Sequence, residues 1–352
     1  MRFKLKILII HNYYNLPGGE DEVVSSEASL LQLKGHEVKI FSCRNQDLGQ
    51  WPLLRKVSFF LKDAFWSSYF YREVKEEIRT FHPDIVHIHN PFYLLSASIY
   101  DACRDQGVPI VQTLHNYRFL CPAGTFFREG HVCHDCTSHG LRQSVIHSCW
   151  QSSRLKTFLL TQILRTYRQK GIPQDYVKRF ITPSSFTRNQ FIKAGWPSDK
   201  IIVKANVVVP IANKPINTKD NYVLFVGALF DYKGIEVLLK LWDKNSGPCV
   251  LKIIGEGPFK SKVEQQVGEK LEYLGRLPLD QVRLLMAQAS ALIVPSLCYE
   301  TFSRVIAEAY SVGTPVIASH LGALSELIVN GQTGYLFNPG DEKDLENKVT
   351  QL

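Results

Sequence analysis

Short apolar runs rich in β-branched residues alternate with segments of helical periodicity along the whole chain. In the first half, the runs that predict strands cover residues 6–10, 37–41, 85–89, 110–114, 180–182 and 201–203. In the second half, they cover residues 222–226, 250–254, 271–274, 291–294 and 315–318, with helices predicted at 279–289 and 302–311. This alternation is typical of parallel sheets wound with helices. We therefore predict an α/β fold with two Rossmann-like domains.

The length of the chain also favours two domains. Its 352 residues exceed what one hydrophobic core usually serves. A proline-containing stretch without clear periodicity, residues 209–215, separates the two strand patterns and predicts a hinge. The expected units are an N-terminal domain, 1–209, and a C-terminal domain, 210–352, facing each other across a cleft. Ligands of parallel sheets bind beyond the carboxyl ends of the strands, so residues that follow strands are the candidates for function.

The charge of the chain is unevenly distributed. Residues 1–206 hold 27 Lys and Arg against 17 Asp and Glu, a net +10, whereas residues 207–352 hold 14 against 16, a net −2. This asymmetry suggests that the first half meets an anionic partner such as a membrane surface or a lipid phosphate. A basic face that only aids solubility is the alternative. Nucleic-acid binding is not expected, because the basic residues are scattered and no base-reading module accompanies them.

Neither a signal peptide nor a membrane span is predicted. The apolar run that starts at Ile7 is shorter than a signal-peptide core of about 7 to 15 residues and leads directly into polar residues. No stretch reaches the roughly 18 apolar residues of a spanning helix. We expect a cytoplasmic protein, either free or at the inner face of the membrane, whose eight cysteines are thiols or metal ligands.

A glycine pair follows the first predicted strand and precedes an amphipathic helix. Gly18 and Gly19 are followed by Glu20, Asp21 and Glu22. Paired glycines let a ligand approach the backbone, and a helix N-terminus offers unpaired N–H groups, so this loop is a candidate anion site. A tight turn whose acidic residues cap the helix dipole is the alternative.

Two loops of the second half carry a stronger pattern. Lys233 lies at the tip of the loop that follows residues 222–226, and it is a compact cation suited to neutralising a diphosphate. Glu300 and Glu308 flank the start of a predicted helix, where carboxylates can accept hydrogen bonds from sugar and ribose hydroxyls. The N–H groups of Phe302 and Ser303 would then face phosphate. An ordinary surface lysine and a solvated glutamate pair are the alternatives.

The order and spacing of the motifs resemble the retaining glycosyltransferases of the GT-B fold, glycosyltransferase family 4, also called glycosyl transferases group 1. The resemblance covers almost the whole chain. Its motifs are residues 18–21 (GGED), 33–38 (LKGHEV), 83–89 (PDIVHIH), 113–115 (TLH), 183–186 (PSSF), 233–234 (KG), 255–258 (GEGP), 300–308 (ETFSRVIAE) and 313–317 (GTPVI).

The resemblance implies a role for each matching residue in transfer of a hexose-type sugar from a nucleotide-diphosphate donor. Lys233 would bind the donor diphosphate, Glu300 the transferred sugar and Glu308 the nucleotide ribose. His115 would line the sugar and acceptor site, and Gly19 would bring the first loop close to the phosphates. The reaction would retain the anomeric configuration, with the departing diphosphate as base, and would require no cofactor or metal. The acceptor would be a glycan or a lipid-linked glycan precursor in polysaccharide biosynthesis.

The chain departs from the family pattern at the diphosphate loop and near its end. Family members often carry an arginine after the glycine that matches Gly227, whereas this chain has Ala228, so Arg304 or Arg276 would have to supply the cation. The family normally adds a helix that returns to the N-terminal domain, and this sequence ends at Leu352. Two alternatives therefore stand beside transfer: a nucleotide-sugar epimerase, and a catalytically silent partner subunit that binds nucleotide.

Two further segments predict chemistry outside the donor site. Cys121, Cys133, Cys136 and Cys149 lie in one loop-rich segment, and four thiolates suffice for a structural zinc ion. Unconnected thiols are the alternative. Residues 51–71 interleave aromatic side chains with Arg55, Lys56 and Lys62, a composition that suits peripheral contact with an anionic membrane. Packing of a helix on a sheet is the competing interpretation.

Overall fold

The structure of the chain is a computed structural model that describes residues 4–14, 18–208, 219–243 and 247–352. It divides into two compact units. The first comprises Met1–Gly124 and His134–Val207, and the second comprises Thr125–Cys133 and Val208–Leu352. The hinge predicted at residues 209–215 begins one residue past Val208, and its residues lie outside the described ones.

The first unit contains a six-stranded sheet in which every pairing is parallel. Its strands are β1 (Lys6–Tyr13), β2 (Glu37–Arg44), β3 (Ile85–Ile88), β4 (Ile110–Thr113), β7 (Val177–Thr182) and β8 (Ile201–Val203). Their order across the sheet is β2-β1-β3-β4-β7-β8. The helices are α1 (Gly19–Leu33), α2 (Leu53–Ser58), α3 (Ser68–Phe81), α4 (Ser98–Asp105), α5 (Asp135–Ser138), α6 (Arg142–Ile146), α7 (Arg154–Gln169) and α8 (Ser185–Lys193).

The second unit repeats this architecture. Its strands are β9 (Asp220–Val226), β10 (Val250–Ile254), β11 (Leu271–Gly275), β12 (Ala289–Val294), β13 (Val316–Ser319) and β14 (Gly334–Phe337). They form a parallel sheet of order β11-β10-β9-β12-β13-β14. The helices are α9 (Ile235–Leu241), α10 (Lys260–Glu264), α11 (Leu279–Gln288), α12 (Arg304–Ser311), α13 (Leu324–Leu327) and α14 (Glu342–Thr350).

The second sheet is covered on both faces, which explains why its strands consist mainly of apolar residues. Successive residues of β9 enter different cores: Val223 and Phe225 pack on one side, whereas Tyr222 and Leu224 pack on the other. Each fully buried side chain of this kind contributes about 1.5 to 3 kcal/mol to the stability of the fold. In the first unit, Ile7 and Ile9 of β1 pack likewise against α1.

All the strands predicted from the sequence are present in these two sheets, so the α/β prediction with two Rossmann-like sheets is confirmed. The sequence missed β14, which has only four residues and begins at a glycine. It also missed a short antiparallel hairpin of β5 (Phe127–Arg128) and β6 (His131–Val132), which belongs to the second unit. None of the helices in the described residues combines the length and the apolar character that a bilayer crossing requires.

Candidate active site

Lys233 and Glu300 meet at the carboxyl ends of two neighbouring strands of the second unit. Lys233 ends a 3₁₀ turn, Asp231–Lys233, in the loop after β9, and Glu300 lies in the loop after β12. Because β9 and β12 are adjacent and parallel, their exits lie side by side. Lys233 Nζ donates a hydrogen bond of 2.6 Å to Glu300 Oε1, and the hydroxyl of Ser296 donates one of 2.8 Å to the same oxygen.

The pair is partly buried, with side-chain exposures of 29% for Lys233 and 15% for Glu300. Burial disfavours the charged ammonium, but the Glu300 carboxylate outweighs this effect and raises the pKa of Lys233. Burial also raises the pKa of the neighbouring Tyr232 to about 12. Lys233 is therefore a permanent cation at physiological pH, held in place by an acidic partner.

The backbone around Lys233 is fixed by the chain segment that precedes Glu300. Gly234 has a φ of +74°, and a Cβ placed there would lie 1.8 Å from the carbonyl oxygen of Pro295. The N–H of Leu297 donates a hydrogen bond of 2.8 Å to the carbonyl of Tyr232. The loop that carries the cation and the loop that carries the carboxylate thus form one rigid element.

The second acidic candidate of this unit, Glu308, lies on α12 one turn after Arg304. The guanidinium of Arg304 donates a hydrogen bond of 3.1 Å to Glu308 Oε1, and both side chains are largely buried. Helix α12 begins at Arg304 with Ser303 as its N-cap, so the prediction that it begins at residue 302 was wrong by two residues. The backbone of Ser303 is extended, and Phe302 and Ser303 lie in the loop before the helix.

Gly227 follows β9 directly, where the resemblance places the start of the diphosphate loop. Its N–H donates a hydrogen bond of 3.0 Å to the carbonyl of Ile254 at the end of β10. A Cβ at Gly255 would lie 1.8 Å from the carbonyl oxygen of Gly227, so the two loops approach as closely as glycine allows. Ala228 is exposed beside them.

In the first unit, the end of the sheet carries a buried cluster of histidines. His89 Nδ1 lies 2.8 Å from His115 Nε2, and the two rings stack with centroids 5.1 Å apart. His87 Nε2 lies 2.8 Å from Thr113 Oγ1, and the His87 and His89 ring centroids are 4.1 Å apart. His87 and His89 are two residues apart along one strand direction, which places both rings on the same face of the sheet.

Burial keeps these imidazoles neutral. It lowers the pKa of His87 to about 4, against a weaker opposing effect of the Glu27 carboxylate. Burial also lowers the pKa values of His89 and His115 well below the usual range, and the neighbouring histidines add to the shift. Each ring therefore has one protonated and one unprotonated nitrogen at neutral pH.

Two family models together match the chain from residue 17 to its end. The model described as Glycosyltransferase Family 4 matches residues 17–210, more than half of the chain. The chain belongs to glycosyltransferase family 4. The model described as Glycosyl transferases group 1 matches residues 211–352, so the boundary between the two matches falls within the predicted hinge.

Relatives of this family 4 member include archaeal and bacterial proteins. The uncharacterized glycosyltransferase MJ1178 of Methanocaldococcus jannaschii is 33% identical over 184 residues, which cover 49% of this chain and 49% of that protein. The uncharacterized glycosyltransferase MJ1607 of the same organism is 26% identical over 333 residues, covering 88% and 79%. O-antigen chain mannosyltransferase B of Escherichia coli is 26% identical over 212 residues, covering 53% and 54%. The chain thus spans about half the length of the first of these relatives.

Solved structures agree with the fold over nearly the whole family 4 chain. Anabaena Alr3699/HepE in complex with UDP is 18% identical with a TM-score of 0.62, covering 99% of this chain and 89% of that one. Sucrose-phosphate synthase from Thermosynechococcus elongatus is 18% identical with a TM-score of 0.65 and the same coverage. The fold is GT-B, as the sequence motifs led us to expect.

The glycine loop of the first unit differs from the anion site that the sequence suggested as one alternative. Gly19 is the first residue of α1, but the Asp21 carboxylate turns back to accept a hydrogen bond of 3.0 Å from the N–H of Gly18. Burial, with a contribution from Asp21, raises the pKa of Glu20 to about 8. These contacts favour helix capping at Gly18, and phosphate binding near Gly19 stays a prediction.

The sequence reading missed most of the histidine cluster. In the sequence, His87 and His89 are visible only as part of the PDIVHIH motif, and Glu27 lies in the helix that follows the glycine pair, where no local feature marks it as a partner of these histidines. His87 and His89 alternate with the apolar residues Val86 and Ile88. This alternation was the available signal, because imidazoles on a buried strand face must find polar partners. Only the fold brings Glu27 of α1 over this face, where its Oε2 lies 3.6 Å from His89 Nε2.

The cysteine segment is divided between the two units. Cys133 belongs to the second unit, whereas Cys121, Cys136 and Cys149 belong to the first. Within the described part of the first unit, these three sulfur atoms do not form a group of three within 4.8 Å.

The zinc site stays a prediction: protein purified without chelator should contain zinc by mass spectrometry, and a Cys133→Ser, Cys136→Ser variant should contain about one equivalent less. Equal zinc contents in the two proteins would contradict it.

Proposed function

We propose that this protein is a retaining glycosyltransferase that moves a sugar from a nucleotide-diphosphate sugar to a glycan or lipid-linked acceptor. The observation that carries the proposal is the buried ion pair of Lys233 and Glu300 at adjacent strand ends of the second unit. An ammonium that is charged and rigidly placed there offers a site for a diphosphate. Known structures of this fold in complex with UDP, UDP-glucose and ADP support a nucleotide-sugar donor.

Each polar group has a role in this proposal. When donor binds, Lys233 turns its charge toward the diphosphate, and the Glu300 carboxylate accepts hydrogen bonds from hydroxyls of the transferred sugar. Glu308, oriented by Arg304, accepts from the ribose diol. The N–H groups of Phe302 and Ser303, with the start of α12, face the phosphates. Arg304 also supplies positive charge in a domain where Ala228 replaces the arginine that family members often carry.

The proposed reaction breaks the bond between the anomeric carbon and the diphosphate oxygen. The acceptor hydroxyl forms the new bond on the face from which the diphosphate leaves, and its proton passes to a diphosphate oxygen. Because the new bond forms on the face from which the diphosphate leaves, the configuration is retained without a protein nucleophile. Lys233 stabilises the charge that builds on the leaving group, which is the main way such a site lowers the barrier. His115 is proposed to contact the sugar and the acceptor from the first unit.

The donor proposal predicts selective stabilisation by nucleotides. In a thermal-shift screen of UDP, GDP, ADP and their sugars, one base should raise the unfolding temperature, because a ligand at 100 times its Kd adds about 2.7 kcal/mol. Glu308→Gln should weaken that nucleotide about 10- to 100-fold by removing charge-assisted hydrogen bonds. Glu264→Gln, an exposed carboxylate on α10, is the control and should bind normally.

Product analysis separates transfer from its two rivals. Release of nucleoside diphosphate only when an acceptor is present supports the proposal. Interconversion of nucleotide sugars without acceptor would identify an epimerase, and tight nucleotide binding without turnover across donors and acceptors would identify a silent subunit. Inversion of the anomeric configuration in the product would contradict the retaining mechanism alone.

We also propose peripheral contact with anionic membranes through residues 51–71. Phe59 is buried, which fits the packing interpretation for that residue, but Leu53 and Leu54 of α2 are 75% and 85% exposed next to Arg55. Two neighbouring exposed leucines beside a cation suit insertion at a lipid interface.

O-antigen chain mannosyltransferases among the relatives are compatible with an acceptor used in polysaccharide assembly.

Liposome flotation tests this contact. The protein should float with vesicles of anionic phospholipid at low salt. A Leu53→Ser, Leu54→Ser variant should bind at least 10-fold more weakly, since roughly 0.8 kcal/mol is lost per CH₂ group withdrawn from lipid and each substitution removes several carbon groups. Leu284→Ser, an exposed leucine of the second unit, is the matched control. Equal flotation of the double variant and the wild type would show that Leu53 and Leu54 do not insert into lipid. No flotation of the wild type would contradict the membrane contact and assign the basic residues to solubility or to another partner.

A further inference from the structure

Two buried polar atoms of the first unit face each other without a hydrogen-bond partner. They are His89 Nε2 and Glu27 Oε2, which are 3.6 Å apart. Both residues are more than nine-tenths buried, as is His87. A buried imidazole nitrogen and a buried carboxylate oxygen each lose hydration on folding, and leaving both without a hydrogen bond is unfavourable. A cation between them would satisfy both.

One nitrogen of His87 completes the arrangement. Ligand atoms of Glu27, His87 and His89 all lie within 4.8 Å of one another, and within the described ranges no other trio of His, Cys, Asp or Glu does so. Ligands 2.0 to 2.1 Å from a tetrahedral ion lie about 3.3 Å apart, so the 3.6 Å pair needs little movement. We propose that Glu27, His87 and His89 bind one divalent transition-metal ion of the zinc class.

The ligand chemistry selects this class of ion. Two imidazoles and one carboxylate form the protein set of many zinc sites, with water in the fourth position, whereas magnesium and calcium require oxygen ligands. The surrounding contacts also fit, because Thr113 Oγ1 fixes the His87 ring and His115 fixes the His89 ring.

Lys204 opposes the ion and provides the sharpest test. Its ammonium forms a short ion pair with Glu27 Oε1, so in the metal-free protein it neutralises the carboxylate. The Lys204 side chain is 41% exposed and can move into solvent when an ion takes its place. The ion and the ammonium therefore compete for Glu27, and removal of the ammonium should strengthen metal binding.

Occupancy would also affect His115. An ion on His89 Nε2 leaves the proton on Nδ1, which then donates to His115 Nε2 and fixes the protonation state of that ring. If His115 contacts sugar and acceptor as proposed above, the ion orients a catalytic group without touching the substrate. The existence of the site does not depend on the proposed function.

The test is a cobalt titration of the chelator-treated full chain in a Cys133→Ser, Cys136→Ser background, followed by the d–d bands of Co²⁺. One equivalent should bind without a thiolate charge-transfer band. Glu27→Gln keeps the size of the side chain and should weaken binding at least 10-fold. Lys204→Gln should tighten it about 10-fold, and a gain of affinity cannot arise from misfolding.

Asp21→Asn is the matched control, because it removes the other buried carboxylate that contacts a histidine, His11, outside the trio. Its affinity for cobalt should equal that of the parent protein. Cobalt affinity that is the same in the parent, Glu27→Gln and Lys204→Gln proteins would overturn the proposal and leave a buried polar cluster that Lys204 alone neutralises. Because the readout is metal binding, this outcome is distinct from failure of the glycosyltransferase assay.

Discussion

Replacing Lys233 with methionine should lower the rate of sugar transfer about 100- to 1000-fold, the loss typical of removing one preorganised charge from a transition state. The expected effect is on kcat more than on KM, because the negative charge of the diphosphate is greatest as the glycosidic bond breaks. Steady-state kinetics with the donor identified by thermal shift measures it. Lys233→Arg should recover only part of the rate, since a guanidinium does not reproduce the compact geometry of the ammonium.

The stability of the variant must be separated from its chemistry. Lys233→Met leaves the Glu300 carboxylate partly buried without its cation, so the variant is expected to unfold more easily. The double variant Lys233→Met, Glu300→Gln removes that unpaired charge and should recover stability but not activity. Lys262→Met is the surface control: its side chain is 61% exposed and paired with Glu236, and it should retain full activity. A Lys233→Met enzyme with normal kcat would place the diphosphate elsewhere.

Gly234→Ala should destabilise the second unit by about 3 kcal/mol or more. Two costs add: a non-glycine residue at φ +74°, and a Cβ that would stand 1.8 Å from the carbonyl oxygen of Pro295. Because that oxygen belongs to backbone between β12 and Glu300, relief of the clash must move the loop that carries the carboxylate. Hydrogen exchange of the amides in α9 and β12 measures the local free energy of opening, and nucleotide affinity should fall in parallel.

Gly331→Ala separates the two costs. Gly331 has a similar φ of +79° in the same unit, but a Cβ there meets no atom within 4 Å. The Gly331→Ala variant should lose only the free energy of unfolding that the left-handed backbone conformation costs a non-glycine residue, about 1 to 2 kcal/mol. If both variants lose the same free energy, the approach of Gly234 to Pro295 is not what holds the two loops together.

Both predictions concern loops that the sequence identified as candidates, but the sequence did not show that these loops contact each other. Lys233 and Glu300 were recognisable because each follows an apolar strand and matches a family motif. The sequence assigned them to different parts of one donor, whereas in the structure they are bonded to each other. That contact depends on β9 and β12 being neighbours, although β10 and β11 lie between them in the chain.

The histidine cluster shows the same limit more strongly. The resemblance singled out His115, and the two-residue spacing of His87 and His89 is compatible with one face of a strand. Nothing local to these segments indicated that Glu27, some 60 residues earlier, or Lys204, near the end of the unit, would reach the same point. The candidate metal site is therefore visible only in three dimensions.

The sequence by itself determined the two parallel sheets, the family and the strand ends that carry the candidate residues. It could do so because the two-faced burial of parallel strands leaves uninterrupted apolar runs, and short loops at their carboxyl ends carry the polar groups. The tertiary structure alone decided strand order, the pairing of Lys233 with Glu300, the start of α12 at Arg304 and the assignment of the β5–β6 hairpin to the second unit. These features arise from contacts between residues far apart in the chain. Such contacts produce no periodic pattern of apolar and polar residues in the sequence.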